Sequence, residues 1–165
     1  RAKERSKPPH YILVLNFYNQ NDLFSLFDIP RLAGASIVFL TQSPPPFPTN
    51  ASFVSFQFVQ GSSLCSQDLA RISIEKLTTV VILEYHRHDA VLAESDARIV
   101  TTMMLLAELR RQRSPSFPAP PLHYVASVQL STSMEVVRAA AAQQEATATL
   151  VLFNELESGA LVQIL

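Results

Sequence analysis

Val59-Gln60-Gly61-Ser62-Ser63-Leu64-Cys65-Ser66-Gln67-Asp68-Leu69-Ala70-Arg71-Ile72 decides how the chain is read. The apolar run Phe53 to Val59 feeds into Gly61 and its serines, which interrupt a strand. The pattern predicts a strand end, a glycine turn and a short helix, with Ser66 as its cap and Asp68 in its first turn. Next, Thr78 to Leu83 is rich in β-branched residues and predicts a buried central strand, with Tyr85 as its outer limit. A long helix is expected from Glu94 to Arg111. Glu94 and Asp96 near its start and Arg110, Arg111 and Arg113 at its end suit the helix dipole. Its inward stripe reads Ile99, Val100, Met103, Met104 and Ala107.

The same alternation extends in both directions. Upstream, Tyr11 to Phe17 and Ser36 to Thr41 are apolar runs of strand length, as expected of strands covered on both faces. Between them, Asn19 to Asp22 offers helix caps, Leu23, Phe24 and Phe27 form an apolar stripe, and Pro30 ends the helix. The proline-rich stretches 44–48 and 114–121 must be loops. Downstream, His123 to Leu130 predicts a fifth strand. Thr132 and Glu135 match a capping box for an alanine-rich helix reaching Gln144, with Val136, Val137 and Ala140 turned inward. Leu150 to Phe153 predicts a sixth strand. Alternation of this kind, with right-handed crossovers, predicts an α/β fold: a Rossmann-like, doubly wound parallel sheet of about six strands with helices on both faces.

At 165 residues the chain fits one domain. Its residues are 48% hydrophobic and 16% charged, with mean hydropathy +0.17, which predicts surface meant to be covered. A net charge of −1 gives no electrostatic case for nucleic acid. No apolar run approaches the roughly 18 residues needed to span a bilayer, and no secretory signal opens the chain. The single cysteine, Cys65, excludes an internal disulfide framework. Residues 1–9 are basic and close on Pro8-Pro9, so they read as a linker. The lobe is expected over 10–153. Asn154 caps a further helix over 154–165 that breaks off in mid-pattern, so the chain is expected to belong to a longer protein.

Dinucleotide binding in such a sheet needs Gly-x-Gly-x-x-Gly after the first strand and an acid after the second. Here the first turn reads Asn16-Phe17-Tyr18-Asn19-Gln20-Asn21, and the second strand ends in Thr41-Gln42. NAD is therefore not expected. Ser62, Ser63 and Cys65 sit on a turn without a nucleophile elbow or a local base, so an enzyme is not expected either. The chemistry-bearing segment is Glu84-Tyr85-His86-Arg87-His88-Asp89 with Glu94 and Asp96, which leaves the carboxyl end of the fourth strand. Carboxylates there suit calcium or magnesium, and His86 and His88 suit zinc or copper. The bland reading makes the acids helix-start charges and the histidines solvated.

Gln60-Gly61-Ser62 with Asp68-Leu69-Ala70-Arg71 and Ile74-Glu75, followed by Glu94-Ser95-Asp96-Ala97, resembles the regulator-of-potassium-conductance (RCK) domain. Within that family the stretch is most similar to the first RCK domain of eukaryotic calcium-activated, large-conductance potassium channels. The resemblance implies a cytoplasmic regulatory lobe of a membrane protein. Its partners would be other RCK domains in a homotetrameric gating ring, and a pore domain reached through the N-terminal linker. It also implies Ca2+ as the ligand, with Asp89, Glu94 and Asp96 as the matching acids. The family's further acid at the start of the sixth strand is replaced here by Ala148 and Thr149, with Glu145 a few residues early. The closing helix, through Leu156, Gly159, Ala160 and Val162, matches the crossover that pairs neighbouring domains. Two rival readings stand beside this one. One is a soluble Rossmann-type nucleotide-binding subunit or enzyme; the other is a ligand-insensitive structural RCK lobe.

Overall fold

In a computed structural model of the chain, residues 10–16, 34–42, 55–84, 92–113 and 119–152 are described. Six strands form one sheet: β1 Tyr11–Leu15, β2 Ser36–Thr41, β3 Ser55–Gln60, β4 Thr79–Ile82, β5 His123–Val128 and β6 Thr147–Leu152. Their order is β3-β2-β1-β4-β5-β6, and all five pairings are parallel. Three helices are described, α1 Ser66–Leu69, α2 Leu92–Arg113 and α3 Met134–Ala142, with 3-10 turns at Ile74–Lys76 and Ser131–Ser133.

The period-two geometry of a strand divides each apolar run between two cores. Leu13, Leu15, Val38, Leu40, Val80, Ile82, Tyr124, Ala126 and Val128 face the layer of α1, α2 and α3. Ile12, Val14, Ile37, Phe39, Val81, Leu83 and Val125 form the core on the other face. Burial on both sides is why these strands read as continuous apolar runs. On the edge strand β3 the pattern alternates at first: Phe56 and Phe58 stack on Phe39 with centroids 6.1 and 4.8 Å away, Ser55 and Gln57 are exposed, and Val59 turns into the opposite core. The described helices all lie on one face. The helix expected over 19–29 falls outside the described residues, as do the linker, Asp89, the histidines of its loop and the closing helix.

Several local expectations are corrected. On α2 the buried residues include Ile99, Thr102, Met103 and Leu106, whereas Met104 is 62% exposed. Five positions past Ile99, at about 100° per residue, Met104 points well away from the sheet. For the same reason α3 buries Val137, Ala140 and Ala141 and leaves Val136 58% exposed. Ser66 is the first residue of α1, not its cap; Cys65 holds the cap position without a side-chain hydrogen bond. The capping box at Thr132 does not form: α3 begins at Met134, Ser133 is its cap without a side-chain bond, and Glu135 pairs with Arg138 at 2.8 Å.

Strand limits shift for identifiable reasons. β5 stops at Val128 because the amides of Gln129 and Leu130 are taken by the Asp96 carboxylate. β6 starts at Thr147, earlier than expected, because its amide donates to the Leu122 carbonyl at 3.0 Å and extends the ladder. β4 starts after Thr78, whose hydroxyl exchanges hydrogen bonds with the Tyr11 amide and carbonyl, both at 3.2 Å.

Candidate functional site

The strand order reverses between β1 and β4, and in open sheets of this kind ligands bind outside the carboxyl ends of the strands at that point. Asn16 follows β1 there in the left-handed region (φ 59°). Its Nδ2 donates to Glu84 Oε1 at 2.7 Å and to Ser63 Oγ at 3.2 Å, tying together the ends of β1, β3 and β4. Glu84 is buried. Its amide donates to Ser127 Oγ at 3.0 Å, and its carbonyl accepts from Gln129 Nε2 at 2.8 Å. Among the described residues Glu84 Oε2 has no hydrogen-bond partner. Burial pushes the Glu84 carboxyl above its ordinary 4.5; Arg98 and the Asn16 bond oppose that, and Asp96 adds to it.

The glycine turn buttresses this point from β3. The amide of Gly61 donates to the Thr41 carbonyl at 3.0 Å, and Asp68 Oδ2 accepts the Ser62 amide at 2.9 Å. A Cβ on Gly61 would lie 2.7 Å from Asp68 Cβ, so glycine is required by close approach. Arg71 donates to the Gln60 carbonyl at 2.9 Å, closing the same turn. The motif Gln60-Gly61-Ser62…Asp68…Arg71 is thus one folded unit.

The expected metal ligands are only partly brought together. Asp96 is buried and spends both carboxylate oxygens on backbone, accepting from the amides of Gln129 at 2.7 Å and Leu130 at 3.0 Å. Glu94 pairs with Arg98 at 2.9 Å on the exposed face of α2. Asp89 lies outside the described residues, and so do Leu156, Gly159, Ala160 and Val162. Glu145 lies beyond the other end of β5, lining the same cavity as Arg110. Six strand residues separate the two edges by about 20 Å, so Glu145 cannot join Asp96. Ala148 packs against the core within β6, and Thr149 Oγ1 contacts His123 Nε2 at 3.1 Å. Among the described residues no three His, Cys, Asp or Glu side chains gather to hold a metal. Calcium needs six to eight oxygens, more than these carboxylates offer.

The arginines at the end of α2 have separate tasks. Arg111 pairs with Glu108 at 2.7 Å. Arg113 donates to the carbonyl of Ile72 at 2.7 Å and to that of Ala70, clamping the segment after α1. Glu84 opens the segment that the sequence marks as chemistry-bearing, whereas Asn16, Ser127 and Gln129 carry no such mark. The legible signal was an acid placed directly after the apolar fourth strand, at the point where strand order reverses.

Sheet order and this polar cluster define a doubly wound α/β domain with a built switch point. Residues 10–148 match the model of the calcium-activated potassium channel slowpoke-like RCK domain, and the chain belongs to that family. Among solved structures, the human SLO3 gating ring is similar over 93% of this chain and 26% of that one, with 15% identity and TM-score 0.61. The GsuK RCK domain is similar over 87% of this chain and 26% of that one, with 12% identity and TM-score 0.54. A GsuK channel bound to NAD is similar over 87% of this chain and 22% of that one, with 12% identity and TM-score 0.53. The chain therefore spans about a quarter of these relatives. No curated protein sequence matches it. No helix among the described residues is long and apolar enough to cross a membrane.

Proposed function

We propose that the chain is a cytoplasmic regulatory lobe of a potassium channel, not an enzyme, and that it works by assembling with other RCK domains. The family match over residues 10–148 carries this reading. Met104 and Val136 support it: they are large apolar side chains exposed on α2 and α3, two helices that pack together. Such positions suit burial against a second domain. A pore domain would be reached through residues 1–9. NAD does not suit this reading, because no glycine opens the first turn and Asn16 at its start is hydrogen-bonded to the Glu84 carboxylate.

Calcium is the ligand that the family implies, with Asp89, Glu94 and Asp96 as its acids. Regulation then needs calcium to favour one state of the assembly over another. A second reading, a structural lobe without calcium sensing, is favoured by the two oxygens of Asp96 already held by backbone amides. A thermal melt with and without calcium separates them. Calcium at 100 times its dissociation constant should add about 2.7 kcal/mol if it binds only the folded lobe. A rise in midpoint that Asp89→Ala abolishes supports sensing. An unchanged midpoint leaves assembly as the function.

A further inference from the structure

At the opposite edge of the sheet, a cavity of about 540 Å³ opens where the C-terminal ends of α2 and α3 meet the start of β5. Its size falls in the usual range for small-molecule sites. One wall is apolar, with Ala107, Pro120 and Leu122, and three charged groups, Arg110, Arg111 and Glu145, also line it; Arg111 is already paired with Glu108.

Arg110 and Glu145 are not matched by an opposite charge among the described residues. Arg110 Nη2 donates to the Pro120 carbonyl at 2.6 Å, its Nε is buried without an acceptor, and the guanidinium has no carboxylate partner. Burial holds that guanidinium below its usual value, as expected of a cation in a poorly solvated position. Glu145 is exposed and makes no ion pair. It stands at the left-handed position (φ 55°) of a helix stop in which the Ala146 amide donates to Ala141 and the Glu145 amide to Ala142. Glycine ordinarily takes that position, so glutamate there strains the backbone and sets a carboxylate at the cavity. The carbonyl end of α3 adds negative potential beside it, which favours a cation.

We propose that this cavity binds a small zwitterion of the amino-acid class. Its carboxylate lies on Arg110, its ammonium on Glu145, and its apolar side chain against Pro120 and Leu122. The bidentate geometry of guanidinium and carboxylate sets the orientation.

L-Leucine is the probe, titrated by calorimetry into the 165-residue chain, with 4-methylpentanoate (no ammonium), 3-methylbutylamine (no carboxylate) and inorganic phosphate as comparisons. Saturable leucine binding, at least tenfold tighter than any of the three, is expected. Arg110→Gln should weaken leucine and 4-methylpentanoate tenfold or more. Glu145→Gln should weaken leucine and leave 4-methylpentanoate equal or tighter. Arg110→Lys, with circular dichroism and a melt on each variant, guards against loss of fold and should keep partial binding. Phosphate or 4-methylpentanoate binding as tightly as leucine, leucine binding indifferent to Glu145→Gln, or no saturable binding of leucine would each overturn the proposal.

Discussion

Gly61 and Glu84 carry the switch point at the level of single residues, and each makes a different demand. Gly61 is needed because Asp68 folds over it, leaving 2.7 Å for a Cβ that needs well over 3 Å. Gly61→Ala should destabilise the lobe by about 1–3 kcal/mol, the usual range for overpacking, as read by urea denaturation. Glu84 concerns charge. Its carboxyl is pushed up by burial, so between 4.5 and the raised value the folded state holds a proton that the unfolded state has lost. Stability from this group therefore falls as pH rises through that window. Glu84→Gln keeps the oxygen that accepts from Asn16 and removes the charge. Its melting midpoint should exceed the parent's at pH 7, and the two should converge towards pH 4. An equal gap at both pH values would refute the assignment. His123 has the opposite slope, since burial lowers its pKa and its contribution weakens as pH falls below 6.5.

Secondary-structure ends are where sequence reading and structure part most often. The amide run after β5 was expected to continue pairing to Leu130, but Asp96 on α2, distant in sequence, takes two of its donors. Neither a propensity nor a periodicity contains that competition, because it depends on α2 packing across the sheet. At the end of α3 the same holds for Glu145, whose left-handed backbone is imposed by the double hydrogen bond of the helix stop. Glu145→Gly should stabilise the lobe by about 0.5–1 kcal/mol, measured by denaturant midpoint, because glycine adopts that conformation without a Cβ clash. A loss of stability would mean that the glutamate side chain contributes more than its backbone strain costs.

For the whole molecule, the division of each strand between two cores accounts for both stability and orientation. One core collects α1, α2 and α3, and this layer leaves Met104 and Val136 at the surface. The double variant Met104→Glu, Val136→Glu should keep the fold, since both side chains are exposed. Its sedimentation should shift to a smaller species than the parent's at equal concentration. Identical sedimentation would remove these two helices from the proposed assembly surface. The parallel order also sets the two candidate ligand regions at opposite ends of the strands. The cluster around Glu84 and the cavity around Arg110 are therefore physically separate.

The closure of the glycine turn by Asp68 and Arg71 came from the structure, while local pattern was enough to determine the strand and helix types of the described elements, the parallel architecture and the turn itself at Gly61. Such features follow from short-range periodicity and from residues a few positions apart, which a sequence displays directly. Tertiary structure alone decided that Asn16, Ser63, Glu84, Ser127 and Gln129 converge, that Asp96 is occupied by backbone, and that Arg110 and Glu145 face one cavity. Each of these joins residues from different strands or helices. Parallel crossovers bring them together only when the sheet closes in its final order, so no single stretch of chain carries the signal.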